Sequence, residues 1–384
     1  FTVEISCSHL YYYEYMVFHV LSVPLYPTLK EITLSAFVQK VYNFCECMTE
    51  RGHTVYHYGH PDSDVKCTKH FDCISRETYN ADYGQQTWKE FHNQDINSPT
   101  HLEFNRIAGQ LISENKKSEE ELVLSFWGIG NKGATDPNSD LIIVEPSIGY
   151  DSFYAPNRVF ETYTHMHRML GTKNIMVANW TDHVVPPGFN EKDFEFKKEK
   201  DDYLLYLGRM VDDKGIKIAQ EISKITGTPI KFVGPQNLPN TMPKDNPLAE
   251  YIHTVSFEER KPLLSNAKAL IAPTVCTEAC GWAMIEAFFS GTPVISTDRG
   301  GFCDYNRQGL TGVRCRNLNE FVHSIKVVEK LDNQKIRDYA VNNFTLEIQM
   351  EAYENYFKML LDIKKNGPIG SIKEECAFTS PVIF

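Results

Sequence analysis

The sequence lacks the features that mark several large classes of protein. It has no uninterrupted apolar run approaching the roughly 18–20 residues that a membrane-spanning helix needs. It also lacks an excess of basic residues, since 39 Lys and Arg stand against 50 Asp and Glu and the formal net charge is −11. Nucleic-acid binding requires a basic surface, so we expect neither nucleic acid nor a membrane span, while peripheral membrane contact stays open.

The ten cysteines contain no Cys-x-x-Cys pair, which argues against a structural zinc site. Residues 1–15 contain no Lys or Arg and therefore lack the basic start of a secretory signal peptide. We expect reduced thiols and a cytoplasmic location, with the glycosylation sequons at Asn179 and Asn343 unmodified. Met16 directly precedes the first apolar segment, so residues 1–15 are either an extension upstream of an original start or a native segment.

The chain is long and apolar enough for two cores. Domains usually contain about 100–200 residues, and 384 residues with 42% hydrophobic composition exceed one ordinary core. From Met16 onward, short β-branched runs alternate with amphipathic stretches, which is typical of βα units and parallel sheets. Two such series predict two Rossmann-like α/β domains facing each other across a cleft. The predicted segments are an N-terminal extension, two domains, a last helix and a flexible tail, over 1–15, 16–190, 191–344, 345–364 and 365–384.

Several elements within this scheme can be predicted individually. In the first domain we expect a helix within 157–170, followed by a strand over 174–179 (NIMVAN). The polar stretch 60–100 has no clear period and reads as an insertion with loops. The last helix has one apolar stripe of residues spaced four apart: Ile348, Ala352, Tyr356 and Leu360.

The segment LYLGRMVDDKG places two cations after a strand. The predicted strand ends at Gly208, Arg209 follows at once, and Lys214 lies five residues later at the start of a helix. In doubly wound folds, ligands bind beyond the carboxyl ends of strands. Free amides at a helix start, together with two cations, can hold a diphosphate. The alternative is a surface loop in which both side chains are merely solvated.

The segment 277–296 contains two carboxylates eight residues apart. Glu278 follows a predicted strand, and Glu286 lies in a helix that is otherwise rich in Ala, Met, Ile and Phe. A carboxylate in such a helix is costly without a hydrogen-bonding partner. Ribose hydroxyls would be one partner, and a nearby Lys or Arg is another. Gly281 and Trp282 open the helix, and glycine lets a backbone amide approach a sugar phosphate closely.

Taken in order, these elements resemble one known family. The Gly-Arg strand end with its Lys, the Glu-x7-Glu pair, the run SGTPVI and the turn Gly300-Gly301 resemble the retaining glycosyltransferases of family 4, which have the GT-B fold. The resemblance is closest over 200–305 and extends from Met16 to about residue 362. It implies that the last helix crosses back towards the first domain.

The resemblance also implies roles for individual residues. Arg209 and Lys214 match the cations that bind the donor diphosphate and stabilise its departure. Glu278 matches the carboxylate that contacts the donor sugar, and Glu286 matches the one that binds the ribose. Many members have proline after the first Glu, where this sequence has Ala279, so the loop differs in shape.

The implied reaction moves a hexosyl or related sugar, with retention, from a nucleotide diphosphate to a hydroxyl group. The donor is expected to be a UDP- or GDP-sugar, and the acceptor a glycan, a glycoconjugate or a lipid. We expect no metal and no other cofactor, because Arg209 and Lys214 already supply the charge of a divalent ion.

The first domain matches the family less well. Many members have a Gly-Gly turn after the first strand and a His after a later one, whereas here the loop 24–33 reads PLYPTLKEIT and a strand ends in Glu145. Glu145 is either an acceptor or sugar contact or a structural carboxylate. Gly130 and Lys132 in GIGNKG either approach the donor or form an ordinary turn. His167 is either an acid or base at the cleft or a solvated or core histidine.

The sequence also offers two other candidate sites and two alternative functions. Asp62 and Asp64 form the Asp-x-Asp of metal-dependent transferases, but they follow Pro61 in a polar loop without the context of that fold. His165 and His167 lie two apart on a predicted helix, so they point to different faces and cannot hold a metal together. A sugar-nucleotide epimerase or phosphorylase, or a non-catalytic nucleotide-sugar-binding protein, would share the two-domain layout.

Overall fold

The structure of the chain is a computed structural model that describes residues 15–32, 35–84, 94–235 and 246–367. The predicted N-terminal extension and tail therefore lie almost entirely outside the described residues. The described chain forms two α/β domains, each built on one parallel sheet. This confirms the predicted pair of Rossmann-like domains.

The first domain is built on seven parallel strands. They are β1 (Val17–Leu21), β2 (Thr54–Gly59), β3 (Lys69–Asp72), β4 (Leu122–Ser125), β5 (Ile142–Ile148), β6 (Asn157–Phe160) and β7 (Asp182–Val184). Their order in the sheet is β3-β2-β1-β4-β5-β6-β7, so the winding reverses between β1 and β4. In such folds the reversal point opens a crevice at the carboxyl ends of the strands, where ligands bind.

Helices cover both faces of this sheet, which explains why its central strands β1, β4 and β5 are almost entirely buried. They are α1 (Ala36–Glu50), α2 (Arg76–Tyr83), α3 (Pro99–Asn115), the single turn α4 (Lys132–Thr135) and α5 (Tyr163–Thr172). Phe18 and Phe44 belong to the core on one face, whereas Leu21 and Phe104 belong to the core on the other. Alternation of side chains along the strands separates the two cores.

The second domain repeats this plan with six parallel strands. They are β8 (Leu204–Leu207), β9 (Ile230–Val233), β10 (Ala249–Ile252), β11 (Ala269–Ala272), β12 (Val294–Thr297) and β13 (Gly312–Cys315). The order is β10-β9-β8-β11-β12-β13, with the reversal between β8 and β11. Its helices are α6 (Ile216–Thr226), α7 (Phe257–Asn266), α8 (Trp282–Phe289), α9 (Gly301–Tyr305), α10 (Leu318–Val328) and α11 (Asn333–Asn343).

The last helix, α12 (Leu346–Asn366), follows the second domain in sequence but packs on the first. Tyr353 and Phe357 lie in the same core cluster as Phe18 and Phe44. The predicted stripe is partly wrong: Ile348 and Ala352 are only half-buried, while Tyr356 and Leu360 are buried. The buried face of α12 is rotated relative to the predicted stripe, because bulky residues between the predicted positions pack against α1 and β1. They include Met350, Tyr353, Phe357 and Leu361.

The helix predicted within 157–170 starts later than expected. Residues 157–160 form β6, because Val159 and Phe160 are buried in the sheet. The helix then begins at Tyr163, where Thr162 caps it by accepting a hydrogen bond from the amide of His165. Local apolar character could not separate a short buried strand from the start of a helix.

The strand predicted over 174–179 is wrong. Met176 and Val177 are 94% and 81% exposed in an irregular segment, and the strand that pairs with β6 starts at Asp182. A bidentate ion pair between Arg158 and Asp182, at 2.5 and 2.7 Å, fixes that pairing. The stretch 60–100 is also more ordered than predicted, since it contains β3 and α2, although its residues 85–93 lie outside the described chain.

Candidate active site

A cavity of about 480 Å³ lies between the domains, beyond the carboxyl ends of β8 and β9. Its volume falls within the roughly 300–1,000 Å³ typical of small-molecule sites. From the second domain, Gly208, Arg209, Gly234, Trp282 and Glu286 line it. The first domain and the connecting segment close the other side with Lys30, Gln39, Asn43, Phe189 and Asp193.

Two strand ends cross closely at the wall of this cavity. A Cβ on Gly234 would lie 2.2 Å from the carbonyl oxygen of Gly208, and φ of Gly234 is +143°. Only glycine has the space and the conformation for this crossing. A Cβ on Gly208 would meet nothing within 4 Å, so a ligand in the cavity has direct access to the backbone there.

Arg209 and Lys214 belong to one turn but have different surroundings. Arg209 is exposed and lines the cavity, and its guanidinium makes no hydrogen bond or ion pair with another described residue. Lys214 ends a short 3-10 turn, and its ammonium forms an ion pair with the carboxylate of Glu278. The side chains of Lys214 and Glu278 are 20% and 19% exposed, so both remain accessible. The structure thus pairs Lys214 with Glu278 and places Arg209 in the same turn as Lys214, but of the three predicted catalytic residues only Arg209 lines the cavity.

The Gly300-Gly301 turn supports the loop that holds Glu278. A Cβ on Gly300 would lie 2.5 Å from the carbonyl oxygen of Glu278, with φ of Gly300 at +58°. The amide of Gly301 donates a hydrogen bond of 2.8 Å to the same carbonyl. Ala279, where the family often has proline, accepts a 2.7 Å hydrogen bond from the hydroxyl of Thr162 in the first domain. The loop is therefore held from both sides.

Trp282 opens α8 directly after its N-cap residue, Gly281. The indole lies edge-on to Phe189, with 4.9 Å between ring centroids, and forms part of the cavity wall. Its Nε1 donates a 3.1 Å hydrogen bond to Glu161, a residue of the first domain. Trp282 therefore contacts both the cavity and the opposite domain.

Glu286 lies at the cavity wall and is only 6% exposed. Its Oε1 accepts a 2.9 Å hydrogen bond from Nη1 of Arg260, so the cation partner considered for it exists. Arg260 lines the same cavity, and the pair stays within reach of a ligand. Binding of a ribose by Glu286 remains a prediction.

Three of the first-domain candidates lie away from the cavity wall. Lys132 is paired with Asp136 on the surface, at 2.6 and 2.8 Å. Gly130 lies in a short 3-10 turn, where its carbonyl accepts a hydrogen bond from Asn105. His167 is exposed on α5. These positions match the alternatives of an ordinary turn and a solvated histidine rather than contacts with a donor.

Glu145 is fully buried, which matches the alternative of a structural carboxylate rather than a contact with an acceptor or sugar. One carboxylate oxygen accepts hydrogen bonds from the amides of Tyr154 and Ala155, at 2.8 and 2.9 Å. The other accepts one from the hydroxyl of Tyr150, at 3.1 Å. Burial raises the pKa of Glu145, and these hydrogen bonds oppose the increase. The residue is a structural carboxylate that holds the loop after β5.

The Asp-x-Asp sequence has partners of its own. Asp62 forms an ion pair with Arg76, and neither Asp62 nor Asp64 lines the cavity. His165 is buried, with its Nε2 against the carbonyl of Tyr150 at 3.2 Å. In the part of the chain that the structure describes, no three His, Cys, Asp or Glu residues are grouped as metal ligands, and the eight cysteines there are unpaired.

Sequence reasoning missed the charged pair formed by Lys40 and Glu161. The two atoms Lys40 Nζ and Glu161 Oε1 lie 3.1 Å apart beside Trp282. The pKa of Glu161 is raised by burial, and the charge of Lys40 opposes this increase without cancelling it. One signal was available in each element: Lys40 lies on the buried face of α1 near Val41, and Glu161 directly follows a buried strand.

Comparison with known proteins agrees with this geometry. Residues 201–329, which include Arg209, Lys214, Glu278 and Glu286, match the family model described as Glycosyl transferases group 1. The O-antigen chain mannosyltransferase RfbU of Salmonella typhimurium (strain LT2) is 27% identical over 186 residues, which are 46% of this chain and 51% of that protein. The chain thus spans about half the length of this curated relative.

Solved structures resemble nearly the whole chain. Sucrose-phosphate synthase from Thermosynechococcus elongatus aligns with a TM-score of 0.67 at 14% identity, covering 90% of this chain and 99% of that one. A protein from Anabaena, solved in complex with UDP and glucose, aligns with a TM-score of 0.59 at 11% identity, covering 90% and 100%. No helix in the described ranges is both long and apolar enough to span a bilayer. The chain has the GT-B fold, and the match over its second domain supports a glycosyltransferase.

Proposed function

We propose that the protein is a retaining glycosyltransferase that moves a sugar from a nucleotide diphosphate to a hydroxyl group of a glycan, a glycoconjugate or a lipid. The observation that carries the proposal is the guanidinium of Arg209, which lines the interdomain cavity without a partner among the described residues. Lys214 follows in the same turn, beside Glu278. Two cations at a strand end suit a diphosphate, because charge-assisted hydrogen bonds to phosphate are strong and directional.

The remaining donor contacts follow from the cavity wall. Glu286, held by Arg260, presents a carboxylate that can accept hydrogen bonds from ribose hydroxyls. Apolar side chains such as Val233 and Val255 suit the face of a nucleotide base. The mannosyl activity of the relative and the UDP of the Anabaena complex belong to those proteins, and we extend their class of donor to this chain.

Catalysis in this proposal is electrostatic. As the bond between the anomeric carbon and the phosphate oxygen breaks, its electron pair moves to the diphosphate, where Arg209 and Lys214 stabilise the growing charge. The acceptor oxygen forms its bond on the same face, and its proton passes to the leaving phosphate oxygen. Configuration is then retained without a protein nucleophile. Glu278, paired with Lys214, is suited to holding the donor sugar.

A panel of UDP-, GDP- and ADP-sugars tests the proposal. A ligand present at 100 times its Kd stabilises the protein by about 2.7 kcal/mol, which a thermal-shift assay detects. The best donor is then incubated with acceptors, and the proton NMR coupling at the anomeric carbon of the product reports retention. We expect Arg209→Ala to lose most of the thermal shift. Arg316→Ala is the matched control, because Arg316 is an exposed cation of the same domain that pairs with Glu320 outside the cavity.

Other outcomes of these assays would indicate a different function or contradict part of the proposal. Turnover that needs inorganic phosphate, or epimerisation of the donor without an acceptor, would replace the proposal by a phosphorylase or an epimerase. Binding without turnover would indicate a nucleotide-sugar-binding protein. An inverted product would contradict retention, and an unchanged thermal shift in Arg209→Ala would contradict the diphosphate site.

A further inference from the structure

A buried ion pair lies beside the candidate active site at the junction of the two domains. The side chains of Lys40 in α1 and Glu161 after β6 are 4% and 3% exposed, and their charged atoms are 3.1 Å apart. Desolvating two charges is expensive, and replacing such a pair by apolar residues is often neutral or stabilising. Stability of the first domain alone therefore does not account for this pair.

The partner that accounts for it belongs to the second domain. Oε1 of Glu161, the oxygen closest to Lys40, also accepts the 3.1 Å hydrogen bond from Nε1 of Trp282. The ammonium of Lys40 lies 5.4 Å from the centroid of the Trp282 ring and donates a 2.9 Å hydrogen bond to the carbonyl of Ser147. One carboxylate oxygen is thus shared between a cation of the first domain and an indole of the second.

Two further hydrogen bonds join residues 161 and 162 to the second domain. The hydroxyl of Thr162 donates a hydrogen bond to the carbonyl of Ala279, and the hydroxyl of Tyr305 donates one to the carbonyl of Glu161. The turn 161–162 therefore contacts the second domain at Ala279 and Trp282, which belong to the loop that holds Glu278, and at Tyr305 in α9.

We propose that Glu161, paired with Lys40, is a positioning residue that holds Trp282 and thereby fixes the loop 278–282 when the domains are closed. The loop then presents Glu278 and Lys214 to the donor. This inference rests on the proposed function for the identity of the donor, but the latch between the domains is a property of the chain itself. Opening the cleft breaks the Glu161–Trp282 bond and releases the loop.

Two double variants of the full chain isolate the latch. Lys40→Met/Glu161→Leu and Lys40→Met/Glu161→Gln both remove the buried charges, so neither leaves an unpaired ion that would prevent folding. The comparison rests on the hydrogen bond from Trp282, which glutamine at position 161 can accept and leucine cannot. We expect kcat of the leucine variant to fall at least tenfold while its Kd for free UDP or GDP changes less than threefold. The glutamine variant should turn over at least fivefold faster than the leucine variant.

Hydrogen exchange over residues 278–282 provides a readout that needs no turnover. We expect faster exchange in the leucine variant than in the glutamine variant, with no donor present. Trp282→Phe keeps an aromatic ring and removes the Nε1 donor. It should accelerate exchange as the leucine variant does, and combining the two should add little, because both remove the same hydrogen bond.

The results separate the latch from the proposed function. Equal exchange and equal kcat in the two double variants would overturn the latch. A parallel tenfold loss of nucleotide affinity in the leucine variant would also overturn it, because Glu161 would then act in donor binding. If the wild-type chain transfers no sugar from any donor, the proposed function fails, and the exchange comparison alone still decides the latch.

Discussion

Replacing Glu354 by alanine should loosen the attachment of α12 to the first domain. Oε1 of Glu354 lies 2.9 Å from Nε2 of His53, and its Oε2 accepts a 3.0 Å hydrogen bond from Nη1 of Arg51. The amide of Met16 donates to Nδ1 of His53, so the ring proton resides on Nε2 and points at Glu354. The side chains of His53 and Glu354 are 1% and 5% exposed, so the alanine variant leaves a buried N–H without an acceptor.

The magnitude follows from the two lost hydrogen bonds. A hydrogen bond to a charged group contributes about 1.5–3 kcal/mol, and the bond to His53 is fully buried, whereas Arg51 can regain water. We expect Glu354→Ala to lower the free energy of unfolding by about 2–4 kcal/mol. In a domain of this size, each kcal/mol of lost stability lowers the melting temperature by about 2–4 °C. The melting temperature should therefore fall by roughly 4–16 °C. Glu354→Gln can still accept from His53 and should lose roughly half as much.

The dependence on pH provides a second signature of this network. Burial alone would raise the pKa of Glu354, but the hydrogen bond from His53 and the charge of Arg51 outweigh it and leave the pKa lowered. A carboxyl group with a lowered pKa stabilises the folded state above its unfolded pKa, and this stabilisation is lost as the pH falls through the folded value. The difference in melting temperature between the wild type and Glu354→Gln should therefore shrink as the pH falls from neutral to about 3.

Scanning calorimetry of the full chain measures both effects. Glu351→Ala is the matched control, because Glu351 is exposed on the same helix, and its substitution should change stability by less than about 0.5 kcal/mol. If Glu354→Ala melts at the same temperature as Glu351→Ala, the buried network does not hold the helix and the reasoning is refuted.

Three further predictions concern the candidate active site. Arg209→Ala and Lys214→Ala should each lower kcat/KM by about ten- to a hundred-fold, or ~1.4–2.7 kcal/mol, with unchanged melting temperature, and wild-type turnover in both would contradict the diphosphate site. Activity should persist in excess EDTA, whereas a loss restored by Mn²⁺ or Mg²⁺ would show that the two cations do not suffice. Glu286→Gln should weaken binding of free UDP or GDP in calorimetric titration while Glu278→Gln mainly lowers kcat, and unchanged nucleotide affinity in Glu286→Gln would exclude the ribose contact.

The alternation of strands and helices was predictable because each element reports its own burial. A strand with both faces covered is apolar throughout, and a helix on a sheet is apolar on one face. The errors arose where an apolar segment had two possible partners. NIMVAN at 174–179 is apolar enough for a strand. In the structure, however, β6 lies beside β5, and β7 lies beside β6, where Asp182 pairs with Arg158. Pairing of this kind is a property of two distant segments, so local periodicity does not contain it.

The charged residues divide along the same line. The sequence leaves two alternatives for Glu145 at the end of an apolar run, a sugar or acceptor contact and a structural role, and the amides that bind its carboxylate come from a loop nine and ten residues later. Glu161 was not predicted as a site residue, because its partners are distant in sequence. Lys40 lies 121 residues before it and Trp282 lies 121 residues after it. A single sequence does not reveal which buried carboxylate is satisfied by its own loop and which reaches across a cleft.

The residues of the second domain and the contacts at the junction of the two domains are specified by the sequence in different ways. In the second domain, Arg209, Lys214 and Glu278 follow β8 and β11 in an order that can be read along the chain. At the junction with the first domain, contacts come from separate elements: α1 supplies Lys40, the turn after β6 supplies Glu161, and both contact Trp282 of the second domain. Such a set combines three distant segments of the chain, so no local stretch of the sequence contains it. The family match over 201–329 accordingly covers residues that local sequence specifies, whereas the contacts between the domains are specified only by the three-dimensional structure.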